Sequence, residues 1–549
     1  GLGSMTNSTS GDGIRLTGTG GSALTTSGTG TMTLSGVATG LHNGIRIDTA
    51  NLVGGSGLIT LTGTTNSASS YAGSRLEGSA SITSTGALSI SGTSGSGYQG
   101  VWLTGTGAIN VGGDITISGQ NTSTNWGVYA DSGYTIKTTA GNISLTGSGT
   151  AGVFLRANLL AGNSATPTSG GTITVNGTAT GANYGIRVDT GSLISYGAMS
   201  LTGVSASSHG IYLHGTGTKV KSASDITING TGTWGLTLYD AALIQSTGGN
   251  IAITASGTSG GLYFDSTATG GIVASNDTTN PTTATPTSGG SLTINATSTS
   301  SGQGVLIWNG SLISNGPMSL TTRGTSTGSA QGLYVGGSGS FKSVGALTID
   351  SSTLGASWGV QLESGRVIQS TAGNVSVTGV GDYGFYMNGS IVASNDATNL
   401  ATNTPNTPTS GGTLTLNATG RVYYGLQLAA GSLVSNGAMS LTGTGRQEAL
   451  YIYGTGGIKS NGNITLTGTA THATSYWGMY LSDSRTIQST AGNISLTASG
   501  AGGIYMVGGS IVAGNDATTP TSGGTITINS TAKNTAIGSA GLRMDGTAT

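Results

Sequence analysis

A short pattern recurs from one end of the chain to the other: apolar, Ser or Thr, apolar, then Ser, Thr or Asn, usually followed by Gly or Ala. Its first apolar residue falls at Met5, Met32, Ile59, Leu88, Ile115, Ile143, Ile173, Met199, Ile226, Ile251, Leu292, Met318, Leu347, Val375, Leu414, Met439, Ile464, Ile494 and Ile526. The steps from Ile251 to Leu292 and from Val375 to Leu414 are longer than the rest, and the unit at Met5 is the most degenerate. A second alternation follows within each unit, usually opened by Gly, as in GIRID at 44–48 and GIYLH at 210–214. A third and shorter one comes after it, as in TIQS at 486–489. Three period-2 strands in ~27 residues cannot enclose a core alone. Stacked as turns of a β-solenoid, each strand pairs with its equivalents above and below, and the apolar residues fill one interior. The expected fold is all-β: a continuous β-solenoid over residues 1–549, in the form of a right-handed parallel β-helix. About 19 turns with three strands each, at ~4.8 Å per turn, give a rod roughly 90 Å long.

A higher order sits above the turn. The strings ATPTSGG (165–171), ATPTSGG (284–290), NTPTSGG (406–412) and TTPTSGG (518–524) each precede a first strand, and they end at Gly171, Gly290, Gly412 and Gly524. Four turns fit each interval between these glycines. The third turn carries Trp-Gly at Trp126, Trp234, Trp358 and Trp477; the fourth opens with Asn142, Asn250, Asn374 or Asn493 and closes with the Pro-containing loop. The super-repeats run approximately over 59–172, 173–291, 292–413 and 414–525, with partial repeats at 1–58 and 526–549. Loops confined to one turn in four predict a row of protrusions about 19 Å apart.

Composition excludes most alternatives. The 103 Gly, 74 Ser and 92 Thr make up about half of the 549 residues, which disfavours a helical enzyme. The 17 basic and 18 acidic residues leave a net charge of −1, with no Lys/Arg cluster to neutralise phosphates, so nucleic acid is not an expected partner. Seven Pro and no period of three exclude collagen, and the absence of Cys excludes a disulfide scaffold. No apolar run approaches the ~18 residues of a membrane span.

The alternation also says which side chains face out. In GIRID, Ile45 and Ile47 point inward and Arg46 and Asp48 outward, because the other register would bury two charges per turn. The second residue after the opening Gly therefore forms an outward column. It includes Trp102, Tyr129, Phe154, Tyr212, Tyr263, Tyr334, Tyr386, Tyr451, Tyr480 and Tyr505, interleaved with Arg15, Arg46, Arg75, Arg187 and Arg543 among others. An exposed aromatic stripe marks a contact surface. Three readings stand side by side: rings packing along the ladder and stiffening it, lateral contact with another filament, and stacking on sugars. A second outward column, on the first strand, is Ser/Thr-rich, as at Thr60 and Thr62 or Thr465 and Thr467. Its irregularity, with Thr174 and Asn176 in one turn and Ala252 and Thr254 in another, favours ordinary hydroxyl pairing over an ice-binding face. The Trp residues are expected to shield corners, and the Asn residues to hydrogen-bond along the axis.

Catalytic and metal-binding patterns are thin. The three Glu residues, Glu77, Glu363 and Glu448, and the dispersed Asp residues form no carboxylate pair of the kind a polysaccharide-cleaving enzyme needs. His209 and His214 are five apart, which strict alternation places on opposite faces, a poor metal pair. Asn276-Asp277, Asn395-Asp396 and Asn515-Asp516 offer one carboxylate each and read as turns rather than Ca²⁺ sites. The Gly-rich stretches are corners, since no GKS/T follows them. No cofactor, metal or catalytic residue is expected.

Runs such as GNITLTGTA (462–470), AGNISLTAS (491–499) and GGTITINST (523–531) resemble the repeats of filamentous haemagglutinin-like adhesins and the β-helical passengers of bacterial autotransporters. The resemblance covers essentially the whole chain. No N-terminal secretion domain or C-terminal membrane barrel of those families is recognisable, and the sequence begins and ends in mid-repeat, as in a fragment of a longer fibre. The resemblance implies two-partner secretion to the cell surface or medium of a Gram-negative bacterium, with export of an unfolded, cysteine-free chain. The function it implies is a non-catalytic surface fibre or adhesin stalk touching host-cell or matrix surfaces or glycans, with head-to-tail or lateral self-association. The alternatives are a glycan-binding solenoid, a polysaccharide-cleaving β-helix enzyme and an ice-binding adhesin.

Overall fold

A computed structural model describes the chain except residues 1–10, 19–22, 67–70, 96–97, 164–169, 277–288, 301, 326–329, 396–410, 484, 516–522, 535–539, 547 and 549. The described residues are all-β and form a parallel β-solenoid of about 17 turns at ~27 residues per turn. First strands open at every position expected from Met32 to Ile526; Met5 lies outside the described residues. The Pro-containing segments and Asp277, Asp396 and Asp516 lie outside them too. The described chain divides into two compact units, residues 1–257 with 267–273, and residues 258–266 with 274–549.

In the first unit, parallel pairing carries Met32 onto Ile59, Leu88, Ile115, Ile143, Ile173, Met199 and Ile226 without a slip. In the second, Leu292 leads in the same way through Met318, Leu347, Val375, Leu414, Met439, Ile464 and Ile494 to Ile526. Val375 pairs directly with Leu414, so this long interval of the sequence still advances only one turn. Third strands stack equally, with Ile82, Ile109, Ile136 and Leu159 in one column and Ile368, Ile391, Leu433 and Ile458 in another. All of these column residues between the ends of each unit are at most 1% exposed. Burying each such side chain is worth ~1.5–3 kcal/mol, and that is why the period-2 pattern fixes the register.

The three corners of a turn are built differently. Between first and second strands the bend is so tight that Ile226–Leu238 runs as one 13-residue strand. Two glycine columns meet there, and a Cβ on Gly119 would fall against the carbonyl of Gly127. Between second and third strands the backbone turns left-handed, with φ of 65° at Gly78, 62° at Gly337 and 77° at Gly365, the region where glycine costs least. Between the third strand and the next first strand a buried hydroxyl closes the corner. Ser370 Oγ donates to Gly345 O in the preceding turn (2.7 Å) and accepts from Gly373 N–H (2.9 Å). Ser222, Ser460 and Ser489 do the same. At Ala161, Ala393 and Ala513 that hydroxyl is absent from the same column, and the chain departs into a Pro-containing segment. Ser370→Ala should therefore cost about 1–2 kcal/mol, read as faster amide exchange at Gly373; unchanged exchange there would remove the hydroxyl from this account.

Candidate functional site: the aromatic ribbons of the second strands

The second strands stack in the register expected from the sequence. In the first unit Arg15 leads through Arg46, Arg75, Trp102, Tyr129, Phe154, Arg187 and Tyr212 to Thr237. In the second, Tyr263 leads through Leu306, Tyr334, Gln361, Tyr386, Gln427, Tyr451, Tyr480 and Tyr505 to Arg543. The exposure differs from the expectation of an open stripe. Phe154 is buried at 6% exposed, and the other nine aromatics of the column are half-buried. The reason is that the rings pack on one another, and on a second file of rings that strict alternation had hidden.

That second file is the residue immediately before the opening Gly. The glycine corner resets the alternation, so this residue lies on the same face as the residue three positions on. His209 and His214 thus both contact the Tyr212 ring, at 5.2 and 5.8 Å between centroids, and are not on opposite faces as their spacing had suggested. Trp126 stacks on Phe154 (5.1 Å, 24°), and Tyr184 packs on Tyr212 (4.8 Å). In the second unit Trp358 meets Tyr383 (4.4 Å) and Tyr386 (5.3 Å), and Trp477 meets Tyr505 (5.0 Å). Trp126, Trp358 and Trp477 therefore join the ribbon and do more than shield a corner. The sequence signal was an aromatic-Gly pair, present at Trp126, Tyr184, His209, Trp234, Trp358, Tyr383, Tyr424 and Trp477.

Within the second unit the rings form a chain of contacts: Tyr424 to Tyr451 (5.5 Å), Tyr451 to Tyr480 (5.3 Å) and Tyr480 to Tyr505 (5.1 Å). Tyr334 packs on Trp308 (4.8 Å), and Tyr263 Oη donates to Asp265 (2.7 Å). Burial raises the phenol pKa of Tyr212, to about 12, and raises those of Tyr334 and Tyr451. The ribbon of the first unit also carries charges in pairs. Glu77 bridges Arg46 and Arg75, whose guanidinium lies 3.9 Å over Trp102. Arg187 pairs with Asp189 (2.7 Å), and the His214 ring lies between Asp189 (3.1 Å) and Asp240 (3.4 Å).

His209 shows what this packing does to a titrating group. Its Nδ1 is 2.7 Å from the buried Thr237 hydroxyl, and desolvation lowers its pKa from 6.5 to about 4. Between those values the unfolded chain binds the proton and the folded chain does not, so stability falls as pH drops from 6.5 toward 4. The loss reaches at most ~3 kcal/mol. Melting curves across this range should show it, and His209→Gln should flatten the dependence; an unchanged slope would place the titration elsewhere.

At the starts of the first strands, Asn142 N–H and Nδ2 donate to Asp114 Oδ1 (2.8 and 3.1 Å), and Asn142 Oδ1 accepts from Thr172 N–H and Oγ1 (2.9 Å each). Asn493 links Asn463 to Thr525 in the same way. These are the axial hydrogen bonds expected of the stacked Asn residues. Among the described residues no group of three or more His, Asp or Glu comes together to hold a metal ion, and no helix is long and apolar enough to cross a membrane. Compared with known protein families, curated proteins and solved structures, the chain matches none.

Proposed function

We propose that the chain is a structural segment of an extracellular surface fibre or adhesin stalk of a Gram-negative bacterium, non-catalytic and exported by two-partner secretion. The observation that carries this reading is the slip-free parallel ladder within each unit, where each first strand between the ends pairs with the turn before it and the turn after it. Such a stack resists extension and bending, and its repeated outer faces suit contact with a host-cell or matrix surface. The likeness of its strand runs to filamentous haemagglutinin-like repeats supports the same reading. The test has two arms. Antibodies against the purified chain should label intact, unpermeabilised producing cells, and beads coated with the chain should attach to cell or matrix surfaces. Labelling that requires permeabilisation, or beads no stickier than uncoated ones, would overturn it.

A second reading, glycan binding, is favoured by one local feature. Trp308 is 41% exposed beside Tyr334, so that ring offers a free surface which most of the ribbon does not. Saccharide-dependent quenching of Trp emission, lost in Trp308→Ala, supports that reading, and emission indifferent to every saccharide tried removes it.

A further inference from the structure

Opposite in character to the aromatic ribbon is the outward face of the first strands in the first unit. Eight of these strands, from Met32–Ala38 to the one opening at Ile226, stack in unbroken register. Each presents three outward side chains, for example Thr116, Ser118 and Gln120, or Thr174, Asn176 and Thr178. Across all eight strands these positions hold Ser, Thr, Asn or Gln, except for Val37 and Val204, and none is charged or aromatic. Val204 is 40% exposed. The hydroxyls of Ser118, Thr146 and Thr202, in the middle of the face, make no hydrogen bond within the described residues. Seven-residue strands at ~3.3 Å per residue and eight turns at ~4.8 Å give a face of about 900 Å².

We propose that this face pairs with the same face of a second copy of the chain, giving a two-fold dimer. Its area matches the ~800 Å² per partner of a stable interface. A hydroxyl both donates and accepts, so a Ser/Thr/Asn sheet complements itself without any charge. Short side chains let two such sheets approach closely, as polar zippers do. No charge on the face itself opposes the approach, and the whole chain carries a net charge of only −1. A nucleic acid or anionic membrane would find no cation here. The inference depends on the proposed function only in taking the chain as a scaffold, so a chain that dimerises yet attaches to no cell fails that function and not this pairing.

Sedimentation velocity of the full chain at micromolar concentrations tests it. The wild type should reach a dimer and stop there, with little dependence on salt. The triple variant Ser118→Asp, Thr146→Asp, Thr202→Asp should dissociate at least ~10-fold more readily, since like charges then face each other. The corresponding Lys variant should do the same, and mixing the two should restore the dimer. Asn110→Asp, on an exposed third-strand position, should change nothing. Should the triple variants fold poorly, Thr146→Cys gives a unique thiol in a chain without cysteine. A polarity-sensitive dye placed there should report burial as concentration rises. A monomeric wild type, a dimer indifferent to both charge variants, a dye that reports no burial, or a monomer that depresses the freezing point of water through this face would each overturn the proposal.

Discussion

Gly119→Val should destabilise the turns around it by roughly 3 kcal/mol or more, at the upper end of overpacking effects. A Cβ at this position would lie 2.5 Å from the Gly127 carbonyl carbon, 2.9 Å from Val128 Cγ2, and closer still to the Gly127 oxygen. Nothing flexible stands in the way to move aside, since the nearest atoms are backbone of the following strand. Relief requires the first and second strands to part, and their register neighbours hold both in place: Gly119 pairs with Gly92 on one side and Gly147 on the other. The effect should be local, because a solenoid unfolds as neighbouring turns and not in one step. Hydrogen exchange should show protection lost in the turns from residue 88 to residue 161 first, with remote turns intact. Full protection in Gly119→Val would show that the corner can open at little cost.

Gly379→Ala, in the same column of the second unit, supplies the matched comparison. A Cβ there would be 2.8 Å from Gly384 O and 3.4 Å from the next nearest atoms. Its register neighbours are already Ser351 and Ala418. Where the column holds hydroxyls instead of glycine, the wider corner is filled by hydrogen bonds: Thr322 Oγ1 donates to Ser351 Oγ (2.8 Å), which donates to Gly359 O (2.5 Å). Gly379→Ala should therefore cost clearly less than Gly119→Ala.

These corners also show what was legible in the sequence. Strand starts and register could be read because a one-residue slip would turn Ile45 and Ile47 outward and bury Arg46, an error of many kcal/mol repeated in each turn. Exposure was harder. Alternation treats a strand as unbroken, and it fails at the opening Gly, where the chain bends sharply. Trp126 and His209 consequently appeared to belong to corners or to the opposite face, when each shares a face with the residue three positions on. The rings then cover one another, so a column read correctly as outward is half-buried. The Ser-or-Ala rule at the third corner was present in the sequence but not apparent, because a buried Ser reads like any other Ser in a chain so rich in hydroxyls. Its sense emerges only when Ser370 is seen to bond the turn before it. Val111 departs from the rule, and the two glycines that follow it carry that corner without a hydroxyl. The hydroxyl face was visible as a pattern, but two outward positions per turn looked irregular, whereas three, stacked over eight turns, reveal uniform neutrality.

Arg366→Ala and Arg485→Ala should each lose about 2–4 kcal/mol, whereas Arg366→Met and Arg485→Met should stay within about 1 kcal/mol of the parent. These arginines precede the third strands of equivalent turns, in RVIQS (366–370) and RTIQS (485–489). They are 1% and 5% exposed, and neither forms an ion pair with a carboxylate among the described residues. Each reaches back through two turns. Arg366 donates from Nε to Gly336 O (2.5 Å) and from Nη1 to Gly310 O (3.4 Å), and Arg485 to Tyr453 O (2.8 Å), Gly431 O (3.3 Å) and Thr455 O (3.0 Å). Desolvation lowers both pKa values, to about 10. Burying a charged guanidinium therefore carries a desolvation cost that opposes folding. Ala removes that cost but leaves a cavity and several carbonyls without their donor; Met removes it and fills the space. Tyr134 occupies the equivalent place in the first unit and reaches Ala80 O two turns back (2.9 Å). Arginine and tyrosine share reach and a terminal donor rather than charge, which points to alignment of turns as the common role. The Arg366→Met, Arg485→Met double variant should thus melt near the parent temperature but refold from denaturant with a lower native yield, because turns paired one repeat out of step no longer meet a misplaced donor. Equal yields would show that these side chains contribute packing alone.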